Sequence, residues 1–204
     1  MKKVIYTLLI ITSINFTSCK SEVKKENNVK VEEKSAYNLK NANHLIGWTA
    51  FKTTEKVPVN GQFKKIDILK NGEGNTIKEA INNAEFSIPV SSVFTKDSGR
   101  DFKIKKFFFG IMDNTKLLSG KLILENDSIG FSNLTMNGIT KKLAFKYNIK
   151  EKNFNLKGSL KISDWKAENA LSSLNEACKD LHKGSDGITK TWDEVTINIT
   201  STFK

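Results

Sequence analysis

Two residues near the C-terminus, Cys178 and His182, carry the side chains best suited to metal or thiol chemistry. They are four positions apart, so on one helix they would share a face, where a thiolate and an imidazole can bind the same zinc ion. Two ligands do not make a zinc site, and Cys178 is in phase with apolar residues, where a buried cysteine behaves as a small hydrophobic side chain. We therefore predict no metal site, and a thiol- or metal-dependent enzyme is the weaker alternative.

The motifs of the common enzyme classes are missing from the sequence. There is no Gly-rich phosphate loop, HExxH pair, CxxC pair or GxSxG nucleophile turn. The two histidines are His44 and His182, and neither lies beside a candidate nucleophile in the sequence. We predict a protein that is not an enzyme and that needs no cofactor.

Arg100 is the only arginine among 33 basic residues. A sequence that uses lysine elsewhere is expected to keep arginine where a guanidinium fork binds two acceptors at once. The next residue is Asp101. The pair could clamp a headgroup or a carboxylate, or it could form a bidentate staple that fixes a loop, and we favour the staple.

The charge of the chain indicates a solvated surface rather than a nucleic-acid partner. The 33 basic and 22 acidic residues give a net charge of +11, which falls to +9 without Lys2 and Lys3. A positive balance can attract nucleic acid or an anionic membrane. The lysines, however, are scattered among acids and asparagines instead of forming one stripe with aromatic residues. We predict no nucleic-acid binding and a weak attraction to anionic headgroups.

The N-terminus resembles the signal of a bacterial lipoprotein. Lys2 and Lys3 precede an apolar run at residues 4–14, which is too short for a permanent membrane helix. Residues 16–19 are Phe-Thr-Ser-Cys, similar to the lipobox in which the cysteine thiol takes a diacylglycerol before cleavage. The alternative is ordinary signal cleavage that leaves Cys19 as a free thiol.

We divide the chain into a signal peptide at 1–18, a flexible tether at 19–38 and one domain at 39–204. The tether is polar and charged, and such a segment cannot bury enough apolar area to offset its ordering entropy. Lys20 stands where an aspartate would retain a lipoprotein in the inner membrane of enteric bacteria. We expect a lipid anchor on Cys19 in the outer membrane, with the domain facing the periplasm or the cell surface.

Apolar and polar residues alternate along several short runs of the domain, which indicates strands with one buried face. The clearest runs are residues 143–149, 154–162 and 195–203. Asn137-Gly138 lies between two apolar runs, and both residues favour the positive φ angles of a tight hairpin turn. We predict an all-β fold whose antiparallel strands close into a barrel, because closure covers the apolar face and removes exposed edges.

Helix is scarce in the sequence. Residues 166–183 place apolar side chains at spacings of three and four, which predicts one amphipathic helix with Asp164 as its N-cap and Gly184 as its stop. Residues 98–109 are expected to hold a short helical turn. A barrel of about eight strands can be filled solid or can hold one apolar ligand, and the pattern alone does not decide between them.

Seven short segments carry a family resemblance, and they occur in family order at 46–48, 59–63, 86–95, 100–101, 107–109, 119–122 and 134–141. The most specific is the hairpin LTMNGITK at 134–141. Together these segments make the folded part similar to the YceI-like, polyisoprenoid-binding family of lipocalin-like barrels.

The resemblance implies an eight-stranded antiparallel barrel with an apolar tunnel for an isoprenoid or another long-chain lipid, covered by helix at one end. Binding without catalysis at the cell envelope follows from it. We expect the tunnel to be lined by Trp48, Phe63, Phe86, Phe108 and Phe145, with Arg100 and Asp101 near its end. The alternative is an envelope stress or interaction protein with a filled barrel. The lipobox and the C-terminal helix depart from the family pattern, so the resemblance does not imply which lipid is bound.

Overall fold

The computed structural model describes residues 35–204. The predicted signal peptide, Cys19 and most of the predicted tether lie outside these residues. The strands are β1 (Tyr37–Asn38), β2 (Asn43–Lys52), β3 (Val57–Phe63), β4 (Asp67–Lys70), β5 (Glu73–Gly74), β6 (Glu85–Pro89), β7 (Val93–Phe94), β8 (Leu117–Leu124), β9 (Ile129–Met136), β10 (Ile139–Lys150), β11 (Asn153–Lys161) and β12 (Thr191–Thr202).

The helical segments are short and lie between the strands. They are α1 (Ile77–Ile81), α2 (Ser98–Lys103), the π-helical turn (Ile104–Phe109), α3 (Glu168–Ala177) and 3-10 turns at Leu39–Asn41, Val90–Ser92, Ile162–Trp165 and Lys179–Leu181. The helical turn predicted at 98–109 is therefore confirmed. Within residues 35–204, the helices are too short or too polar to span a lipid bilayer.

Ten strands form one curled antiparallel sheet in the order β4-β6-β8-β9-β10-β11-β12-β2-β3-β7. The predicted all-β, antiparallel fold is confirmed, but the sheet curls without closing completely, because its end strands β4 and β7 do not pair with each other. The predicted count of about eight strands is low because these two short edge strands extend the sheet. A separate pair joins β1 to β5, with Tyr37 opposite Gly74. Residues 37 and 38, assigned from the sequence to the end of the tether, thus belong to a strand.

The residues that alternate between apolar and polar in the sequence lie alternately on the inner and the outer face of the sheet. In β10, Leu143, Phe145 and Tyr147 are buried while the residues between them are exposed. The predicted Asn137-Gly138 turn joins β9 to β10, and both residues have positive φ (51° and 67°). This hairpin fixes the register, so that the apolar side chains of both strands face the inside of the curl.

Helices cover the two ends of the curled sheet differently. At one end, α1 packs the buried residues Ala80 and Ile81 against Leu39 and Phe154. A capping box between Thr76 and Glu79 begins this helix. The opposite end, where β12 begins, is covered by α2, the π-helical turn and α3.

The C-terminal helix is shorter than the periodicity of the sequence predicted. It begins after Ala167 with no side-chain cap, and the predicted N-cap Asp164 lies inside the preceding 3-10 turn. Lys166 separates the two segments because its left-handed conformation (φ 52°) cannot continue a right-handed helix. The helix ends at Ala177, and a 3-10 turn follows Cys178 instead of a continuous helix to residue 183.

Candidate functional site

The inner face of the curled sheet encloses a narrow cavity of about 200 Å³, here called the tunnel. It follows β12 from Thr191 to Ser201, which corresponds to roughly 30 Å of extended strand. Its walls are almost entirely apolar, and all five residues predicted to line it do so: Trp48, Phe63, Phe86, Phe108 and Phe145. Whether these side chains bind a ligand stays a prediction.

Glycines on neighbouring strands make room for three of these aromatic rings. In each case the glycine stands directly opposite the aromatic residue, and a Cβ on the glycine would lie only 2.1 to 2.9 Å from ring atoms. The pairs are Trp48 with Gly61, Phe86 with Gly120, and Phe145 with Gly130. Because each ring lies over bare backbone, it packs against the wall and leaves the centre of the curl open.

His44 lies at the α1 end of the tunnel, and both of its ring nitrogens are hydrogen-bonded. Nε2 of His44 lies 2.9 Å from the carbonyl oxygen of Leu39, which can only accept, so this nitrogen carries the proton. Nδ1 then accepts from the Ser201 hydroxyl at 2.8 Å. Burial lowers the pKa of His44. The imidazole is therefore a neutral structural group with both ring nitrogens used.

The opposite end opens into a second cavity of about 290 Å³, here called the mouth. The mouth shares five lining residues with the tunnel: Trp48, Ala50, Ile104, Leu174 and Thr191. Its other walls come from β2, α2 and the segment after α3, and they add polar and charged side chains that the tunnel lacks. A long apolar molecule in the tunnel would thus end beside polar groups at the mouth.

Cys178 and His182 both line the mouth, but the predicted continuous helix does not carry them, because α3 ends at Ala177 and a 3-10 turn follows. Burial raises the pKa of the Cys178 thiol, which keeps it protonated and weakly nucleophilic. Burial, together with nearby cations, lowers the pKa of His182 to about 4. No cluster of three potential metal ligands occurs within residues 35–204.

The orientation of His182 follows from its hydrogen bonds. The Thr191 hydroxyl donates to the side-chain oxygen of Asn175 at 2.8 Å, so it can only accept from Nδ1 of His182, 2.7 Å away. The neutral ring therefore carries its proton on Nδ1. This arrangement connects α3, the segment after it and the first residue of β12 at the mouth.

Arg100 and Asp101 have separate roles. The predicted bidentate staple by Arg100 is not formed, since its guanidinium makes one contact, 3.6 Å from the Asp97 carboxylate, and lies exposed at the mouth. Asp101 holds the loop instead, because its buried carboxylate accepts from both the backbone N–H and the hydroxyl of Thr95 at 2.8 and 2.7 Å. The Asp97 carboxylate accepts from the backbone N–H of Arg100 and begins α2, which leaves the arginine side chain free to point outward.

We expect Asp101→Ala to destabilise the domain by about 1–3 kcal/mol, because it leaves the buried backbone N–H of Thr95 without an acceptor and its hydroxyl with only the longer contact to the carbonyl oxygen of Asp97 at 3.3 Å. The neighbouring variant Arg100→Ala removes an exposed side chain and should change the free energy of unfolding by about 0.5 kcal/mol or less. Urea unfolding of the two variants measures the difference. Equal losses from both would show that Arg100, and not only Asp101, fixes this loop.

Sequence reasoning missed the mouth and part of the tunnel wall. Apolar residues of the helical segments, Ile104, Leu171 and Leu174, line the tunnel beside the strand residues. The spacing of Leu171 and Leu174 indicated a buried helix face, but only the family resemblance implied that a helix covers one end of the tunnel. Lys52 and Lys103 line the mouth and are two lysines among many, so nothing in their local sequence distinguishes them.

Comparison with known proteins agrees with this architecture. Residues 37–203 match the model of a family described as the YceI-like domain. No curated protein matches the chain.

Solved structures with a similar fold include a polyisoprenoid-binding domain from Saccharophagus degradans implicated in plant cell wall breakdown. That domain has 12% sequence identity and a TM-score of 0.59, over 83% of this chain and 98% of the other. BcnA from Burkholderia cenocepacia has 16% identity and a TM-score of 0.50, over 81% and 98%. A YceI protein from Campylobacter jejuni has 20% identity and a TM-score of 0.49, over 72% and 85%.

Proposed function

The chain belongs to the YceI-like domain family, and on that premise we propose that it binds and carries one long apolar lipid of the isoprenoid kind in the tunnel. No reaction is part of this function. The proposal is supported by a continuous apolar cavity, in which aromatic rings pack against glycines of the neighbouring strands and leave the centre free. Transfer of a lipid chain from water into such a cavity is favourable in proportion to the apolar area removed from water.

The magnitudes favour a long chain over a short one. Each buried methylene contributes about 0.8 kcal/mol, so a dozen contribute about 10 kcal/mol. Association itself opposes binding by roughly 4–15 kcal/mol. A chain of four methylenes contributes only about 3 kcal/mol, which is below that opposing term, whereas a chain of twenty contributes about 16 kcal/mol.

Native mass spectrometry of the protein purified without detergent tests this function. We expect a mass adduct of one long-chain lipid per chain, which organic extraction releases and which can then be identified. Purified protein that carries no adduct and takes up no long-chain isoprenoid or fatty lipid from vesicles would overturn the proposal. A filled barrel that acts through its surface would then be the better hypothesis.

We further propose that the protein is a lipoprotein of the cell envelope, anchored through Cys19 in the outer membrane. The support is the lipobox at 16–19, the apolar run before it and Lys20 after it. Two or three acyl chains give stable anchoring where one chain is marginal. A tether between the lipid and the domain would let the mouth meet a membrane surface.

Replacing Cys19 should release the protein from membranes. In a Gram-negative host, we expect the unmodified chain to pellet with the outer membrane and Cys19→Ser to move to the soluble fraction, because no thiol remains to take the diacylglycerol. Cys178→Ala is the matched control, and it should stay in the membrane fraction because Cys178 is buried in the folded domain. A Cys19→Ser protein that still pellets with membranes would contradict the anchor.

A further inference from the structure

The mouth of the tunnel is lined by more positive than negative charge. Lys52, Arg100 and Lys103 contribute three cations, and Asp97 contributes the one carboxylate in the lining. His182 adds no charge at neutral pH, since its pKa is about 4. The mouth therefore carries a net charge of about +2 beside an apolar cavity.

Two of these cations lack a carboxylate partner. Lys52 and Lys103 are half-buried, and neither forms an ion pair with the acidic residues of the described part of the chain. The Lys52 ammonium donates to the carbonyl oxygen of Leu181 at 2.8 Å, which uses one of its three hydrogens. The remaining N–H donors of these two ammonium groups are available at the mouth, and a negatively charged guest could accept charge-assisted hydrogen bonds from them.

The three cations line the same cavity, since Lys52, Arg100 and Lys103 all lie in the wall of the mouth. His182 and Cys178 line it as well, and burial together with the three cations lowers the pKa of His182. Side chains from β2 and α2 therefore reach the same region as the segment that follows α3. An anion placed there would interact with all three cations at once.

A neutral donor lies on the wall between the tunnel and the mouth. The indole nitrogen Nε1 of Trp48 is buried and has no hydrogen-bond partner among residues 35–204. Trp48 lines both cavities. A buried donor without a partner is unusual, because nearly all buried polar groups in folded proteins are hydrogen-bonded.

We propose that the mouth binds an anionic headgroup, a phosphate or a carboxylate, of the same lipid whose chain fills the tunnel. The ligand class is then an anionic amphiphile rather than a neutral isoprenoid or a hydrocarbon. This inference rests on the proposed function, since it assigns the polar end of the molecule that the tunnel carries. Lys52 and Lys103 provide the charge, and Arg100 adds to it from the rim.

Paired ligands that differ only in the headgroup test the proposal. Equilibrium binding is measured for geranylgeranyl monophosphate against geranylgeraniol, and for palmitate against hexadecanol, with the delipidated protein. We expect the charged member of at least one pair to bind ten times more tightly or better. The phosphate and carboxylate arms identify which headgroup is preferred, and inorganic phosphate alone should bind at least a hundred times more weakly than the charged lipid.

The preference should depend on the cations of the mouth. In the double variant Lys52→Met/Lys103→Met, the ratio of charged to neutral affinity should fall about tenfold. The matched control is Lys146→Met/Lys157→Met, which removes two exposed lysines from a cross-strand pair on the outer wall and should keep the ratio. A change in folding is monitored separately by near-UV circular dichroism.

A second readout does not rely on affinity. A bound anion would offset the nearby cations, so the pKa of His182, followed by NMR, should rise when the charged lipid binds and stay near 4 with its neutral partner.

Equal affinity for both members of each pair, or a ratio unchanged in the Lys52/Lys103 variant, would overturn the headgroup site while lipid carriage stands. Inorganic phosphate that binds as tightly as the charged lipid would also overturn it. Failure of every chain to bind would overturn lipid carriage itself.

Discussion

Ile197→Trp is expected to remove lipid from the barrel while leaving the fold intact. Ile197 lies near the middle of β12, between Trp48 of β2 and Gly158 of β11, and its side chain lines the tunnel. An indole at this position would occupy the path of a lipid chain. We expect at least a tenfold loss of bound lipid per protein in native mass spectrometry, equivalent to about 1.4 kcal/mol or more of binding free energy.

Asn198→Trp is the matched control, because Asn198 is the next residue of the same strand and is exposed. Its indole would point to the outer face and should leave lipid content within about twofold of the unmodified protein. The two variants also separate the open barrel from the filled one. In a filled barrel, Ile197→Trp would overpack the core and destabilise it by about 1–3 kcal/mol. A lower melting temperature with unchanged lipid content would therefore contradict the tunnel.

The strands were predictable because they depend on local patterns. A period of two assigns every second residue to the inside, and this places Phe86 and Phe145 on the inner face without knowledge of strand order. The tunnel itself was expected only from the family resemblance. The turn at Asn137-Gly138 was equally local, since both residues favour positive φ. The strand ends were less predictable: β7 has two residues, too few for any periodicity.

The space inside the barrel depends on which residues face each other on neighbouring strands, and local sequence patterns do not specify those cross-strand pairs. Gly120 faces Phe86 from a strand 34 positions later in the sequence, and this register is fixed only when the whole sheet forms. The same holds for the mouth, where Lys52 and Lys103 meet through tertiary packing. Arg100 was the one cation of the mouth that the sequence singled out, because it is the only arginine. Its ionic partner was not predictable from the sequence, since the adjacent carboxylate of Asp101 points inward to Thr95 and the contact is made with Asp97.

Trp165→Ala is expected to cause the largest loss of stability of any single change considered for this domain. Trp165 is 1% exposed, lies in the 3-10 turn before α3 and packs within the core of the α3 end. Its indole N–H donates to the carbonyl oxygen of Leu134 at 3.0 Å, and its own carbonyl oxygen accepts from the Asn137 side chain at 2.9 Å. The residue therefore joins the β9–β10 hairpin to the helical cover of the mouth.

Removal of this side chain should reduce the free energy of unfolding by about 3–5 kcal/mol. That is a large share of the roughly 5–15 kcal/mol that stabilises an ordinary domain. Trp165→Phe is the control, because it retains most of the packing and should lose about 1 kcal/mol with the hydrogen bond. Urea unfolding of delipidated protein measures both. Since Trp165 is not among the residues that line the tunnel, the Phe variant should keep its lipid. A loss below about 1 kcal/mol in the Ala variant would mean that the 3-10 turn and α3 form a loose cover rather than part of the core.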